Sequence, residues 1–176
     1  SEAIKKPVVT IAGENAAIID DEDSNATTWQ AKYTMQSGEK EGEVEFTIDY
    51  KDIAGNQGEQ ITNTTDDSKV TYDESVPEGY NVEFEQEIVN KNNQSEITII
   101  LSKLEVGATL NGVIVDEEGN QVSGTGEITE IEMTITEDLS ELNDGMLTAK
   151  VTLTDKAGNE GEEVTATVKK DTVEPA

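Results

Sequence analysis

The sequence predicts an all-β protein built from two β-sandwiches in series, and three observations lead there. The octapeptide Asp52-Ile53-Ala54-Gly55-Asn56-Gln57-Gly58-Glu59 returns as Asp155-Lys156-Ala157-Gly158-Asn159-Glu160-Gly161-Glu162, an offset of 103 residues. Each copy is flanked by runs in which apolar and polar residues alternate, the period of a half-buried strand. Clusters of Gly, Asn, Asp and Ser separate these runs at the spacing expected of a sandwich. Self-similarity at a fixed offset marks a tandem array, and 176 residues accommodate two units of ordinary size.

Taken in order, Val8 to Ala12 forms the first predicted strand, and Thr28 to Met35 the next, with Trp29, Ala31, Tyr33 and Met35 on one face. Glu43 to Tyr50 places Val44, Phe46, Ile48 and Tyr50 on one face and acids and threonine on the other. The Asp-x-Ala-Gly-Asn-x-Gly turn follows, then a return run from Ile61 to Thr65. Glycine supplies the positive φ that a bulged hairpin needs, and the aspartate can accept backbone N–H bonds across the turn. Further strands are expected at Tyr80 to Ile88, Glu96 to Leu101, Ala108 to Val115 and Ile128 to Ile135. A final hairpin joins Leu147 to Thr154 with the run through Val164, Ala166 and Val168. No helix is expected beyond short turns near Leu139 to Leu142.

The boundary is expected at Asp73-Glu74-Ser75-Val76-Pro77, giving one unit over residues 1–77 and a second over 78–176. A similar junction, Asp171-Thr172-Val173-Glu174-Pro175, closes the chain and implies a following unit. The first unit has no counterpart of the two strands that open the second. Two readings stand: an arbitrary chain boundary, or an open sandwich completed by strand donation from an identical chain, which would build a filament.

Composition narrows the function. The chain carries 12 Lys+Arg, all lysine, against 39 Asp+Glu, a net charge of -27. Such a field repels phosphate backbones and counts against nucleic acid as a partner. With no cysteine and no histidine, thiolate nucleophiles, sulfur-ligated metals and the commonest general base are absent. Nothing distinguishes two acids as a glycosidase pair, so the chain reads as non-enzymatic. No apolar run reaches the length of a membrane span and the N-terminus does not read as a signal peptide, so an internal or processed piece is expected.

The Asp-x-Ala-Gly-Asn-x-Gly turn closing a Thr/Val-rich strand, followed by the Asp-x-x-x-Pro junction, resembles the bacterial Ig-like domains of secreted and cell-surface repeat proteins. Val8 to Gly13, Trp29 to Met35 and Asp52 to Gly58 look like one module; Glu105 to Thr109, Asp144 to Thr148 and Asp155 to Gly161 look like a second. The resemblance implies immunoglobulin-like Greek-key sandwiches, an extracellular or cell-surface location, and roles in adhesins, stalks or surface layers, often with calcium at domain junctions. Without a cysteine pair the core must rely on Trp29, Tyr33, Phe46, Ile48, Val151 and Leu153.

In a sandwich of that kind, Asp155 and Asn159 face the incoming linker, where Asp73, Glu74 and Glu78 are candidates to meet them. Asp52 and Asn56 would face a preceding unit, and Asp171 a following one. Oxygen ligands of this number and charge suit calcium. Against this stands Asp116-Glu117-Glu118-Gly119-Asn120, whose matching spacing shows that hairpin chemistry alone can select these residues. Asp20-Asp21-Glu22-Asp23 with Asn25 imitates the start of an EF-hand loop, but Ala26 replaces the required glycine and Lys32 the closing glutamate. The leading expectation is a structural module whose partners are neighbouring Ig-like domains of the same parent chain. Completion by identical chains is the runner-up, and a glycan- or protein-binding adhesion domain is a third reading.

Overall fold

The computed structural model describes residues 3–19 and 28–175. The acidic run Asp20 to Asp23, with Asn25 and Ala26, lies outside the described residues. No α-helix occurs among the described residues, and the chain divides into two compact units, Ser1–Glu74 and Ser75–Ala176.

Unit two is a two-layer sandwich. One sheet holds β8 (Asn81–Phe84), β10 (Ile97–Ser102) and β13 (Glu132–Glu137) in the order β13-β10-β8. The other holds β9 (Ile88–Val89), β11 (Thr109–Val115), β12 (Gln121–Glu127), β14 (Gly145–Thr154) and β15 (Val164–Lys170) in the order β12-β11-β14-β15-β9. All pairings are antiparallel except β15 with β9, which run parallel at Lys169↔Ile88 and Lys170↔Val89. This order, with the chain crossing repeatedly between layers, is the immunoglobulin-type Greek key.

Alternation sends Ile97, Ile99 and Leu101 of β10 and Leu147, Ala149, Val151 and Leu153 of β14 into the interior, where all are buried. Each Ile, Leu or Val side chain so buried contributes roughly 1.5–3 kcal/mol. Leu139 and Leu142 close one end of this core through a turn in which Leu142 N–H donates to the Leu139 carbonyl at 3.2 Å.

The expected strand Tyr80 to Ile88 is two strands. The chain leaves one sheet after Phe84 and joins the other at Ile88, while Gln86 accepts the Thr98 N–H through its side chain at 3.0 Å. The expected strand Ile128 to Ile135 begins only at Glu132, because Ile128 turns to pair with Ala108. The glycine-rich β12 was absent from the expected set, since Ser123-Gly124-Thr125-Gly126 lacks the apolar alternation that marks a strand.

Unit one contains β1 (Val8–Ile11), β2 (Glu14–Asn15) and β6 (Phe46–Asp49) in the order β2-β1-β6. Two small ladders accompany them: β3 (Ala17–Ile19) with β4 (Gln30–Lys32), and β5 (Gly42–Glu43) with β7 (Thr71–Tyr72). The expected strand over Thr28 to Met35 is thus only three residues long, and the run from Ile61 makes a single bridge, to Ile48.

The two units share a register at the repeat offset. Val8↔Asp49 through Ile11↔Phe46 in unit one correspond to Asn111↔Thr152 through Ile114↔Ala149 in unit two. The bridges Ile48↔Ile61 and Lys51↔Gln57 correspond to Val151↔Val164 and Thr154↔Glu160. Their packing differs. Among the described residues of unit one, only Pro7 and Val9 are buried apolar side chains. Trp29, Tyr33, Phe46 and Ile48, expected in the core, are half-buried, whereas Val151 and Leu153 are fully enclosed.

Candidate functional site: the Asp-x-x-Gly-Asn turns

Both copies of the repeated turn use one hydrogen-bond scheme, and the third turn, at Asp116, uses a variant of it in which Glu118 donates in place of the glycine. Asp52 Oδ1 accepts N–H bonds from Gly55 at 2.6 Å and Asn56 at 2.8 Å, and Oδ2 accepts the Asn56 side-chain amide at 2.7 Å. Asp155 Oδ1 accepts from Gly158 at 2.7 Å and Asn159 at 2.8 Å, with the Asn159 amide on Oδ2 at 2.9 Å. In each turn the aspartate N–H donates to the asparagine carbonyl at 3.0 Å. Gly55, Gly119 and Gly158 have φ of 103°, 92° and 97°, a left-handed conformation that side chains resist. The aspartate, glycine and asparagine are therefore all consumed in closing the loop.

Asp116 is held most firmly. Its Oδ1 accepts the N–H groups of Glu118 and Asn120, each at 2.9 Å, and its Oδ2 accepts the Asn120 amide at 2.8 Å and the Asn143 N–H at 2.9 Å. Those bonds, led by the Asn120 side chain, hold its carboxyl at about 2. Asp52 is lowered from its ordinary value, first by the Asn56 side chain. At Asp155 desolvation pushes upward, but the bonds from Asn159, Gly158 and Ala157 outweigh it and the net shift is downward. Asp171 is lowered by the Lys169 ammonium, 3.2 Å away.

The structure thus joins Asp52 to Asn56, Asp155 to Asn159 and Asp171 to Lys169. Glu74 accepts the Gly38 N–H at 2.7 Å, and its own N–H donates to Glu41 at 2.9 Å. Asp73 and Glu78 are exposed. Calcium takes six to eight oxygens, and neither repeated turn alone fits that demand. Each offers a single carboxylate already carrying three N–H bonds. No group of three or more His, Cys, Asp or Glu suited to a metal gathers among the described residues.

Sequence reasoning passed over Lys170. It is 2% exposed, and its ammonium donates to the carbonyls of Leu139 at 2.7 Å, Ser140 at 3.2 Å and Leu142 at 2.6 Å. The signal was present: Lys170 shares the inward phase of β15 with Val168 and Ala166. Asn143 was also missed, because nothing local links it to a turn 27 residues earlier.

No protein-family model matches the chain, and no curated protein does. Among solved structures, similar ones include a tetra-tandem repeat in the extending region of a large adhesion protein, at 18% identity over 92% of this chain and 41% of that one, with a TM-score of 0.45. Another comes from work on host-cell-surface retention of a 1.5-MDa bacterial ice-binding adhesin, at 18% identity over 97% of this chain and 55% of that one, TM-score 0.46. A third is the D00-D0 domain of intimin, at 12% identity over 96% and 86%, TM-score 0.38. The chain spans about half the length of the first two.

Proposed function

We infer that the chain is a non-enzymatic structural segment of an extracellular repeat protein, in which β-sandwich units are strung in series to give reach or to build a surface layer. The observation that carries this is the shared register: strand pairings, bridges and turn hydrogen bonds recur at one offset of 103 residues. Duplicated scaffolding with no duplicated reactive constellation suits a module repeated for length. The lowered carboxyls support the same reading, since their N–H donors lie in turns that shape the fold. Extracellular placement accords with a strongly acidic composition and the resemblance to bacterial Ig-like repeats.

The reading is tested by joining two, three and four copies of unit two and measuring maximum dimension by small-angle scattering. A linear increase of roughly 33 Å per added unit is expected, the length of the ten-residue β14 at about 3.3 Å per residue. Collapse of the longer chains into compact particles would overturn it.

A further inference from the structure

We propose that unit two carries a binding slot for a small amphipathic cation, an ammonium group on an apolar body the size of a benzene ring. A cavity of about 190 Å³ is lined by residues of both sheets, out to the edge strands β12 and β13. The buried Ile99, Leu101, Leu110 and Val151 and the half-buried Met133 and Ile135 give it apolar walls. A dry apolar cavity of roughly 150 Å³ suffices for benzene, so a ring fits here. Glycine makes the space. Register sets Gly112 against Gly124 and Val151, and Gly126 against Leu110, so three residues of the inward phase of β11 and β12 bring no side chain. Neither conformation nor crowding calls for glycine there: none of the three has a positive φ, a Cβ on Gly124 or Gly126 would meet nothing within 4 Å, and one on Gly112 would make ordinary contacts from 3.7 Å. At the repeat offset Gly112 corresponds to Val9, which is buried, so the fold accepts a branched side chain at this point. Glycine inside a strand weakens it, and there it often marks the close approach of a ligand.

An independent observation gives the ligand its charge. Alternation along β13 turns Met133, Ile135 and Glu137 to the same side, each half-buried between exposed neighbours. Glu137 lines the cavity, and no described residue donates a hydrogen bond to its carboxylate or forms an ion pair with it. A carboxylate beside apolar walls is short of the water it has in the open, and an ammonium group is the partner that compensates. Glu127 also lies on the lining, while the lysine of the lining, Lys150, stands 3.7 Å from Glu163. These acids and the net charge of -27 together disfavour an anionic ligand.

The probe is benzylammonium, titrated into the full chain and followed by heteronuclear NMR, with benzyl alcohol and benzoate as its neutral and anionic counterparts. Saturable one-to-one shifts are expected at the amides of Gly112, Gly124 and Gly126, with nuclear Overhauser contacts from the ring to the methyl groups of Met133 and Ile135. Benzoate should bind at least tenfold more weakly. Gly124→Val fills the space with a residue suited to a strand. It should weaken benzylammonium and benzyl alcohol at least tenfold while the melting temperature of unit two holds or rises. Gly126→Val, at an equally open position, repeats the test where the first variant folds poorly. Glu137→Gln should weaken benzylammonium and leave benzyl alcohol unchanged. Shifts that never saturate, or that follow the acidic surface instead of the three glycines, overturn the proposal. So does equal binding of benzoate, or full benzylammonium affinity in Glu137→Gln or in a folded valine variant. Dimerisation of the ligand-free chain that protects the same amides overturns it too, assigning the slot to a second copy.

Discussion

Gly161 lies beneath the ring of Tyr80: a Cβ built on the glycine would stand 2.9 Å from the phenol oxygen and 2.3 Å from the Pro77 carbonyl. That phenol donates to the Glu162 carbonyl at 2.5 Å and accepts the Leu153 N–H at 3.3 Å, fastening the start of unit two to its last hairpin. Gly161→Ala should therefore destabilise unit two by about 2–3 kcal/mol through overpacking against backbone. Gly124→Ala, where nothing lies within 4 Å of the added carbon, should change stability far less. Urea melts of both variants test the contrast, and equal midpoints would refute it.

Tyr80→Phe keeps the ring and removes only the hydroxyl. Two hydrogen bonds disappear at a side chain that is 5% exposed, so a loss of about 1–2 kcal/mol is expected from thermal denaturation. A variant as stable as the parent would show that water satisfies both backbone groups.

Lys170→Met preserves the length of the side chain while removing the ammonium's bonds to three carbonyls in the turn over Leu139 to Leu142, of which Leu139 alone keeps the Leu142 N–H as a donor within that turn. The expected cost is about 3 kcal/mol, with amide exchange accelerating first in that turn and in the adjoining end of β15. Unchanged exchange there would mean the lysine is merely accommodated.

The carboxyl of Asp116 sits at about 2 against an ordinary 3.8. A folded-state value below the unfolded one gives stability that is fully present above the ordinary value and is lost as pH falls through the folded value. Thermal midpoints should therefore decline between about pH 4 and pH 2, more steeply in the parent than in Asp116→Asn. Parallel curves for the two proteins would exclude this residue as a source of the acid sensitivity.

Because the Asp155 carboxylate already accepts three N–H bonds from its own turn, neither chelator nor millimolar calcium should move the melting temperature of residues 75–176. Differential scanning calorimetry decides this. A calcium-dependent rise would mean that the turn opens to take the cation.

Much of unit two was legible because alternation and glycine turns are local signals. Leu147 to Thr154 could be read from its own residues, and the equivalence of Phe46, Ile48 and Tyr50 with Ala149, Val151 and Leu153 followed from the repeated turn alone. What local pattern does not carry is which sheet a strand joins: the switch between Phe84 and Ile88 depends on partners at Thr98 and Lys169. β12 escaped because an edge strand facing solvent can dispense with apolar side chains. At the candidate site, the Asp and Asn positions were visible but their employment was not, since one spacing serves loop closure and cation binding alike. Lys170 was hidden by the habit of assigning every lysine to the surface.

The parallel pairing of β9 with β15 has a consequence for a chain held under tension. A pull entering at Ile88 and leaving beyond Asp171 runs along this short ladder, so the Lys169, Lys170 and Asp171 contacts to Ile88 and Val89 are loaded in shear and must yield together. An antiparallel pair gripped at one end would instead unzip bond by bond. Unit two therefore places a shear-loaded clamp where its second strand, β9, meets its last, β15.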